Sequence, residues 1–450
     1  MTNILIIGAG RSSGALIDYV LDKAKQYSWR ITVADSNLES AKEKIQGHPR
    51  AIAAWLDVAK NNDRRDLIAR SDLVVSLLPA HLHLEVAHDC IRLRKHLITA
   101  SYVSKELYRL GDEARDRELI FMGEMGLDPG VDHMSAMRTI NELRDKGARI
   151  DAFRSYTGGL VAPENDTNPW HYKVTWSPRN VVLAGQGTAH YLEDNKLRCI
   201  PYNRLFESTA PVQVAGLGEL EMYPNRDSLL YRETYGLEDI PTLLRGTLRY
   251  PGYCAAWNAL VKVGLTDASF PILASKHMSY HELMDSYAPR DDSGLSVKER
   301  IAKLVGETPN SPVMRKLDWL GLFRKKRIPV GNATPALILQ DLIERRWKLE
   351  EGDRDMIVMQ HEFEYTLEGA KRRRTSTLVM KGDDKQTAMA KLVGLPLGIF
   401  VRLMAEDRIE SRGVTIPIMN EVYEPVLTEL AEYGVRFNEH DEPASPASAG

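Results

Sequence analysis

The sequence predicts an α/β protein: a doubly wound parallel sheet, then a second α/β part that carries a helical insertion. Three observations lead there. Over the first 125 residues short apolar runs alternate with amphipathic stretches, the pattern of parallel strands joined by crossover helices. A glycine-rich turn, Gly8-Ala9-Gly10-Arg11-Ser12-Ser13-Gly14, directly follows the first of these runs. Past Pro129 the pattern changes to longer strand-like runs, and from about Ala255 helical periodicity takes over.

Strands are expected at Ile4–Ile7, Ile31–Ala34, Ile52–Leu56, Leu73–Leu77, His96–Ala100 and Leu119–Gly123, with helices at Ala15–Tyr27, Leu84–Leu93 and Lys105–Arg115 between them. Six such strands with crossover helices make a Rossmann-like nucleotide-binding fold. Ile150–Tyr156 reads as a strand, and Gly158 to Pro169, rich in Gly, Pro and Asn, as a loop. Strand-like runs continue to about Arg249, and Ala255 to about Lys348 is helical, as in Ile301–Leu304 and Pro335–Glu344. Met356–Tyr365 and Arg374–Met380, split by Glu368-Gly369, read as a hairpin. Gln386–Ala405 is helical, and the Glu-, Asp-, Pro- and Ser-rich tail from residue 438 to 450 is expected to be disordered.

A chain of 450 residues is too long for one ordinary core. With 43% hydrophobic and 27% charged residues and a net charge of -3, it has the balance of a soluble protein. No Lys/Arg stripe marks nucleic acid or an anionic membrane as a partner, and no run approaches the ~20 apolar residues of a membrane span. The N-terminus enters a strand-like segment without a basic region or cleavage site. Cys90, Cys199 and Cys254 are odd in number, widely spaced and in no metal-type cluster, so no metal site is expected and a reducing cytoplasm fits.

The glycine turn carries the first functional expectation. Gly8 permits the tight turn, Gly10 lets backbone approach a pyrophosphate, and the helix N-terminus offers free N–H groups and partial positive charge to that anion. The third glycine of the usual pattern is displaced: Ser13 takes its place and Gly14 comes one later. Any sharp strand-to-helix turn selects glycine, so the context matters. The second strand ends in Asp35, where an acidic residue should bind the adenosine ribose hydroxyls. A carboxylate there repels a 2′-phosphate, and the next residues, Ser36 and Asn37, bring no arginine to receive one. NAD is therefore expected over NADP, with NADP remaining possible.

Longer motifs add a resemblance. They are Thr99-Ala100-Ser101-Tyr102, Glu124-Met-Gly-Leu-Asp128-Pro-Gly-Val-Asp132-His133, Ser155-Tyr156-Thr157-Gly158-Gly159-Leu160, Thr175-Trp176-Ser177, Tyr223-Pro224-Asn225-Arg226-Asp227-Ser228 and Leu244-Arg245-Gly246-Thr247-Leu248-Arg249-Tyr250. Together they closely resemble the glutamate-forming saccharopine dehydrogenases, also called saccharopine reductases, from the first strand to about residue 435. The resemblance implies that Gly8, Ala9, Gly10, Arg11, Asp35, Ser36, Asn37, Leu56, Asp57, Leu77, Leu127, Asp128, Pro129 and Ser177 line the cofactor cleft. It implies that Ser101, Tyr102, Arg226, Thr247, Leu248 and Arg249 contact saccharopine, and that the protein is a homodimer. The implied organisation is a dinucleotide domain over 1–130, to which 394–437 returns. A substrate and dimerisation domain spans 131–254 and 355–393, and the helical insertion 255–354. Two departures stand out. NADP-using fungal members carry a small residue and then arginine at the positions of Asp35-Ser36, and most members have cysteine where this chain has Thr157.

The chemistry such an enzyme needs can be compared with the residues. Saccharopine carries three carboxylates around a secondary amine, and arginine suits them because its fork donates two parallel hydrogen bonds. Oxidation requires a neutral amine, transfer of hydride to a nicotinamide, and addition of water to the resulting imine. Each step moves protons, so a group titrating near neutrality is wanted. Asp128, His133, Lys173 and Tyr102 are the candidates. Asp128 alternatively serves the turn before Pro129, and His133 alternatively packs within its helix. Two other readings stay open: a related imine reductase such as a carboxynorspermidine dehydrogenase, and a non-catalytic dinucleotide sensor.

Overall fold

A computed structural model describes residues 2–184, 186–290 and 294–444. The chain divides into two compact units, one built from residues up to Ala148 with Gly382–Phe437, the other from Arg149–Lys381 with the chain from Asn438. The helix Val131–Asp145 thus lies in the first unit, which ends at Ala148 rather than at 130 and resumes at Gly382 rather than at 394.

The first unit is a parallel sheet of β1 (Asn3–Ile7), β2 (Arg30–Asp35), β3 (Ala51–Trp55), β4 (Leu73–Ser76), β5 (His96–Thr99) and β6 (Ile120–Met122), joined by the short strand Gly413–Thr415. Its order is Gly413–Thr415, β6, β5, β4, β1, β2, β3. The reversal between β1 and β4 opens a crevice at the C-terminal ends of these strands, where ligands of open α/β sheets bind. Strands such as Leu73–Ser76 are continuously buried because helices cover both faces. The stretch from Lys105 forms two short helices, Lys105–Tyr108 and Gly111–Asp116, in place of the single expected one; a glycine at the junction is a weak helix former.

The helix Gly14–Lys23 packs on the helix Ala388–Ala405, which is long and apolar enough to cross a membrane but 72% buried within the protein. Two glycines permit the approach. A Cβ on Gly394 would lie 2.5 Å from the Leu16 nitrogen, and one on Gly398 2.6 Å from the Tyr19 ring. Close packing of a core helix explains this apolar composition.

The second unit is a mixed sheet. Its strands are β7 (Arg149–Val161), β8 (Ala189–Glu193), β9 (Lys196–Ile200), β10 (Ala210–Val214), β11 (Gly218–Pro224), β12 (Thr242–Arg249), β13 (Asp355–Leu367) and β14 (Ala370–Lys381). The order is β10, β11, β12, β7, β13, β14 and a final strand Asn438–Pro443, with the β8–β9 hairpin attached to β12. Glu368 and Gly369 both have positive φ, 51° and 80°, the backbone of a tight hairpin turn. The helices Tyr253–Val263, Tyr280–Tyr287, Val297–Val305, Pro312–Leu320 and Pro335–Arg346 enclose a separate core with Trp170, Trp257 and Trp347 fully buried. Ser279 with Glu282 and Ser296 with Glu299 form capping boxes that start two of them.

Two expectations are corrected here. Gly158, Gly159 and Leu160 belong to β7, not to a loop. A Cβ on Gly158 would sit 2.8 Å from the Leu248 carbonyl oxygen, so close approach of β12 demands the glycine. The tail is also ordered as far as Pro443. Asn438–Pro443 pairs antiparallel with Arg372–Thr377 of β14. Arg374 donates from Nε and Nη2 to Asp441 at 3.0 and 2.7 Å. The acidic residues that read as disorder complement the basic run Lys371-Arg372-Arg373-Arg374. The end of the tail, 445–450, lies outside the described residues.

Candidate active site

In the first unit the glycine turn is shaped to receive a dinucleotide. Gly8 has φ +112°, and a Cβ there would come 3.1 Å from the Leu77 carbonyl oxygen. A Cβ on Gly10 would meet nothing within 4 Å, so the space beside it is open. The helix that follows has no side-chain cap and no acidic residue in its first turn, leaving its N-terminal dipole available to an anion. Arg11 is exposed beside this loop. The displaced third glycine, Gly14, faces the Gln386 side chain; a Cβ there would be 2.6 Å from its Oε1. Gly14 is thus a packing glycine, set against the returning segment.

Asp35 ends β2 with its carboxylate held on both sides. Oδ2 accepts from the Ala9 N–H at 2.7 Å and Oδ1 from the Asn37 N–H at 2.8 Å. Asn37 in turn caps the next helix, accepting from Glu39 at 3.1 Å, while Ser36 is exposed. Leu56 is buried, and Asp57 accepts from the Ala59 N–H at 3.1 Å, ordering the turn after β3. Residues from β1, β2, β3 and β4 therefore meet around one crevice, and they fit a dinucleotide with an adenosine ribose near Asp35.

A second group lies at the ends of β5 and β6. The Tyr102 hydroxyl donates to Asp128 Oδ1 at 3.1 Å. Asp128 sits in a turn that admits no side chain at Gly130, where a Cβ would be 2.0 Å from the Gly126 oxygen. The Leu127–Pro129 segment folds back through the Gly126 N–H to Pro129 O bond of 3.0 Å. From Leu119 to Met137 every residue is buried except Asp128. Capping at the helix start falls to Asp132, whose Oδ1 accepts from the Gly130 N–H at 2.6 Å. Asp128 itself is half-buried and holds the Tyr102 hydroxyl.

His133 is corrected. It is fully buried, with Nε2 2.8 Å from Glu124 Oε2. Glu124 Oε1 accepts from the Val103 N–H at 3.0 Å, and its own N–H donates to the Ser101 carbonyl at 3.0 Å. The pair ties down the loop that carries Ser101 and Tyr102. Lys173, in the second unit, is corrected for a similar reason. It is buried, and its Nζ lies 2.5 Å from Asp353 Oδ2, the arrangement of a closed structural ion pair.

One group escapes sequence reasoning altogether. His83, which opens the helix His83–Leu93, has Nδ1 2.9 Å from Ser76 Oγ and Nε2 2.8 Å from Ser101 Oγ and 3.1 Å from Thr99 Oγ1. Burial, with a smaller repulsion from His81, pushes its pKa down to about 4. No motif marks it; its partners come from two separate segments, the end of β4 and the end of β5.

The second unit holds the arginines. Arg249 is buried, its guanidinium carbon 5.1, 5.3 and 5.8 Å from the ring centroids of Tyr172, Tyr253 and Tyr223. Nη1 donates to the Leu248 carbonyl at 2.7 Å, while Nε has no hydrogen-bond partner among the described residues. No ion pair to a described carboxylate neutralises it. Arg226 differs: it is exposed, in a turn with φ 52°. Thr247 is half-buried and Leu248 fully buried. Thr157 lies opposite Thr247, which lies opposite Tyr223, so the three share one row across the sheet. Ser177 is exposed and caps the helix Pro178–Leu183, accepting from the Asn180 N–H at 3.4 Å.

Fold and crevice define a Rossmann-type dinucleotide-binding protein. Comparison with known proteins narrows this. The family described as "Saccharopine dehydrogenase NADP binding domain" matches residues 4–122, and "Saccharopine dehydrogenase C-terminal domain" matches 126–435. The chain is 35% identical to the saccharopine dehydrogenase [NADP(+), L-glutamate-forming] of Schizosaccharomyces pombe, over 98% of this chain and 99% of that protein. It is 34% identical to the alpha-aminoadipic semialdehyde synthase of Arabidopsis thaliana over 98% of this chain, and spans only 45% of that longer protein. The apo structure of the L-Glu-forming saccharopine dehydrogenase from Saccharomyces cerevisiae superposes with a TM-score of 0.86 at 31% identity, covering 98% of this chain and 100% of that one. The chain belongs to the saccharopine dehydrogenase family.

Proposed function

We propose that this protein oxidises the C–N bond of L-saccharopine with a nicotinamide dinucleotide and water, giving L-glutamate and 2-aminoadipate 6-semialdehyde, or runs the reverse condensation. The observation that carries the substrate assignment within the family is Arg249. A buried guanidinium with an unpartnered Nε and no counter-carboxylate asks for an anion. Saccharopine brings three carboxylates, whereas a polyamine adduct brings added positive charge.

The bound nicotinamide supplies the hydride acceptor. The protein's part is to handle protons. The substrate amine must be neutral before it is oxidised. Hydrolysis of the imine then needs a proton taken from water and one delivered to nitrogen. Tyr102 donates to Asp128 across 3.1 Å, and Asp128 is the half-buried member of a buried stretch. We assign them the transfer, with Asp128 as the base. Retention of such a pair argues against a pure sensor, which needs only the dinucleotide crevice.

Asp35 supports NAD over NADP. Its carboxylate, fixed by Ala9 and Asn37, offers acceptors to a ribose diol and repels a 2′-phosphate. The three free cysteines fit a reducing cytoplasm, and the family resemblance supports a homodimer. The deciding experiment follows reduced cofactor and glutamate on adding saccharopine, with carboxynorspermidine as control. Turnover of saccharopine with formation of glutamate is expected; turnover of the polyamine adduct alone would remove the assignment.

A further inference from the structure

The hydrogen-bonded group around His83 is not used by the chemistry above. Three of its members, Ser76, His83 and Thr99, are buried, and the fourth, Ser101, is half-exposed. The group therefore has one outlet, the Ser101 hydroxyl. Ser76 ends β4 and Thr99 ends β5, so that outlet opens at the C-terminal edge of the sheet.

His83 faces hydroxyls, not carboxylates, at both ring nitrogens. Nothing among these partners stabilises a cation, and its lowered pKa agrees with a neutral ring. A neutral imidazole donates from one nitrogen and accepts at the other. The bond to Ser76 at Nδ1 thus sets what Nε2 can do, and Nε2 sets which way the Ser101 hydrogen points. The Ser101 N–H donates to Thr99 Oγ1 at 3.2 Å, which fixes the backbone of the same residue.

We infer that His83 is a positioning residue that presents the Ser101 hydroxyl to the substrate. The inference rests on the reading that Ser101 contacts saccharopine.

The test compares His83→Asn, His83→Gln, Ser101→Ala and the double variant His83→Asn/Ser101→Ala. The Asn amide reaches the place of Nδ1 and keeps the Ser76 bond alone, whereas the Gln amide reaches the place of Nε2 and can hold Ser101. Losing one hydrogen bond to a bound polar group lowers kcat/KM about tenfold or more, so that loss is expected for His83→Asn and Ser101→Ala. His83→Gln is expected to recover to within about threefold of the parent, and the double variant to be no worse than Ser101→Ala, because coupled groups are not additive. Dinucleotide affinity, read by fluorescence titration, should stay unchanged.

Additive losses in the double variant, or equal losses in His83→Asn and His83→Gln, would show a merely structural histidine and overturn the inference. Normal kinetics in Ser101→Ala would remove the contact and the inference together, while saccharopine turnover by the parent protein would still stand. Should His83→Asn not fold, Ser76→Ala replaces it: it leaves the ring in place without its orienting partner. Its loss is expected to vanish in the Ser101→Ala background, and persistence there overturns the inference.

Discussion

Tyr102 donates its hydroxyl hydrogen to Asp128 across 3.1 Å, joining the end of β5 to the turn after β6. The turn is closed around Gly126 and Gly130, where a Cβ on Gly130 would lie 2.0 Å from the Gly126 oxygen. General acid–base groups contribute about 100- to 10,000-fold, so Asp128→Asn should lower kcat at least about 100-fold. Tyr102→Phe should cost less, since the carboxylate stays. Stopped-flow rates with saccharopine check both. A kcat within threefold of the parent would remove the proton-transfer role.

Cofactor choice turns on Asp35. Both carboxylate oxygens are engaged by backbone N–H groups, so the charge stays at the ribose position. The parent protein should show a higher kcat/KM with NAD than with NADP. Asp35→Ala combined with Ser36→Arg should shift that ratio toward NADP by about tenfold or more, through removal of repulsion and addition of a phosphate partner. Steady-state kinetics with both cofactors measure it, and equal or better use of NADP by the parent would overturn the preference.

Much of this was legible in the sequence, and the failures have physical causes. The sheet of the first unit declares itself through short buried strands, and Gly8 through a positive φ that favours glycine. Asp128 and His133 stand five residues apart, and no periodicity tells that the helix start turns the histidine inward to Glu124 while the aspartate stays outside. Lys173 stood as an acid/base candidate because its partner, Asp353, is distant in the chain and invisible to local pattern. Arg226 and Arg249 looked equivalent because burial is set by tertiary packing: one lies in an exposed turn, the other under three tyrosines. The tail misled because an acidic segment counts as solvated until a basic strand is available to pair with it.

The arginines accordingly separate. Truncating Arg249 would leave a substrate anion unpaired in a buried site, a loss of roughly 2–5 kcal/mol, or about 30- to several-thousand-fold in kcat/KM. Arg249→Lys should recover only part, because an ammonium lacks the planar fork that stacks among the rings. Arg226→Ala should cost no more than about 1 kcal/mol, the range of exposed charge pairs. Kinetics with a thermal melt on each folded variant decide the matter, and near-normal turnover in Arg249→Ala would remove the anion site.

Thiol chemistry offers an independent check, since Thr157 replaces the family's usual cysteine in the row beside Thr247. Cys90 and Cys254 are buried, and burial pushes both thiols up, away from the reactive thiolate. Cys199 alone is exposed, on β9. A maleimide should label one cysteine quickly, and activity should survive. Rapid inactivation prevented by saccharopine would show that a thiol does line the site.

His83 makes the last prediction, one of stability. Its folded-state pKa is lowered from 6.5 to about 4, chiefly by burial. The unfolded chain therefore binds a proton at pH values where the folded chain does not. For a lowered pKa the contribution is fully present above the unfolded value and is lost as pH falls from about 6.5 toward 4. At 1.36 kcal/mol per unit, the loss over that window is roughly 2–4 kcal/mol. In His83→Gln nothing titrates at this position, so the variant's stability should fall less over the same range. Urea unfolding of both proteins at pH 7 and at pH 4.5, followed by tryptophan fluorescence, gives the difference directly. Parallel losses in the two proteins would mean that His83 is not held neutral, and the hydroxyl orientation assigned to it would then lose its physical basis.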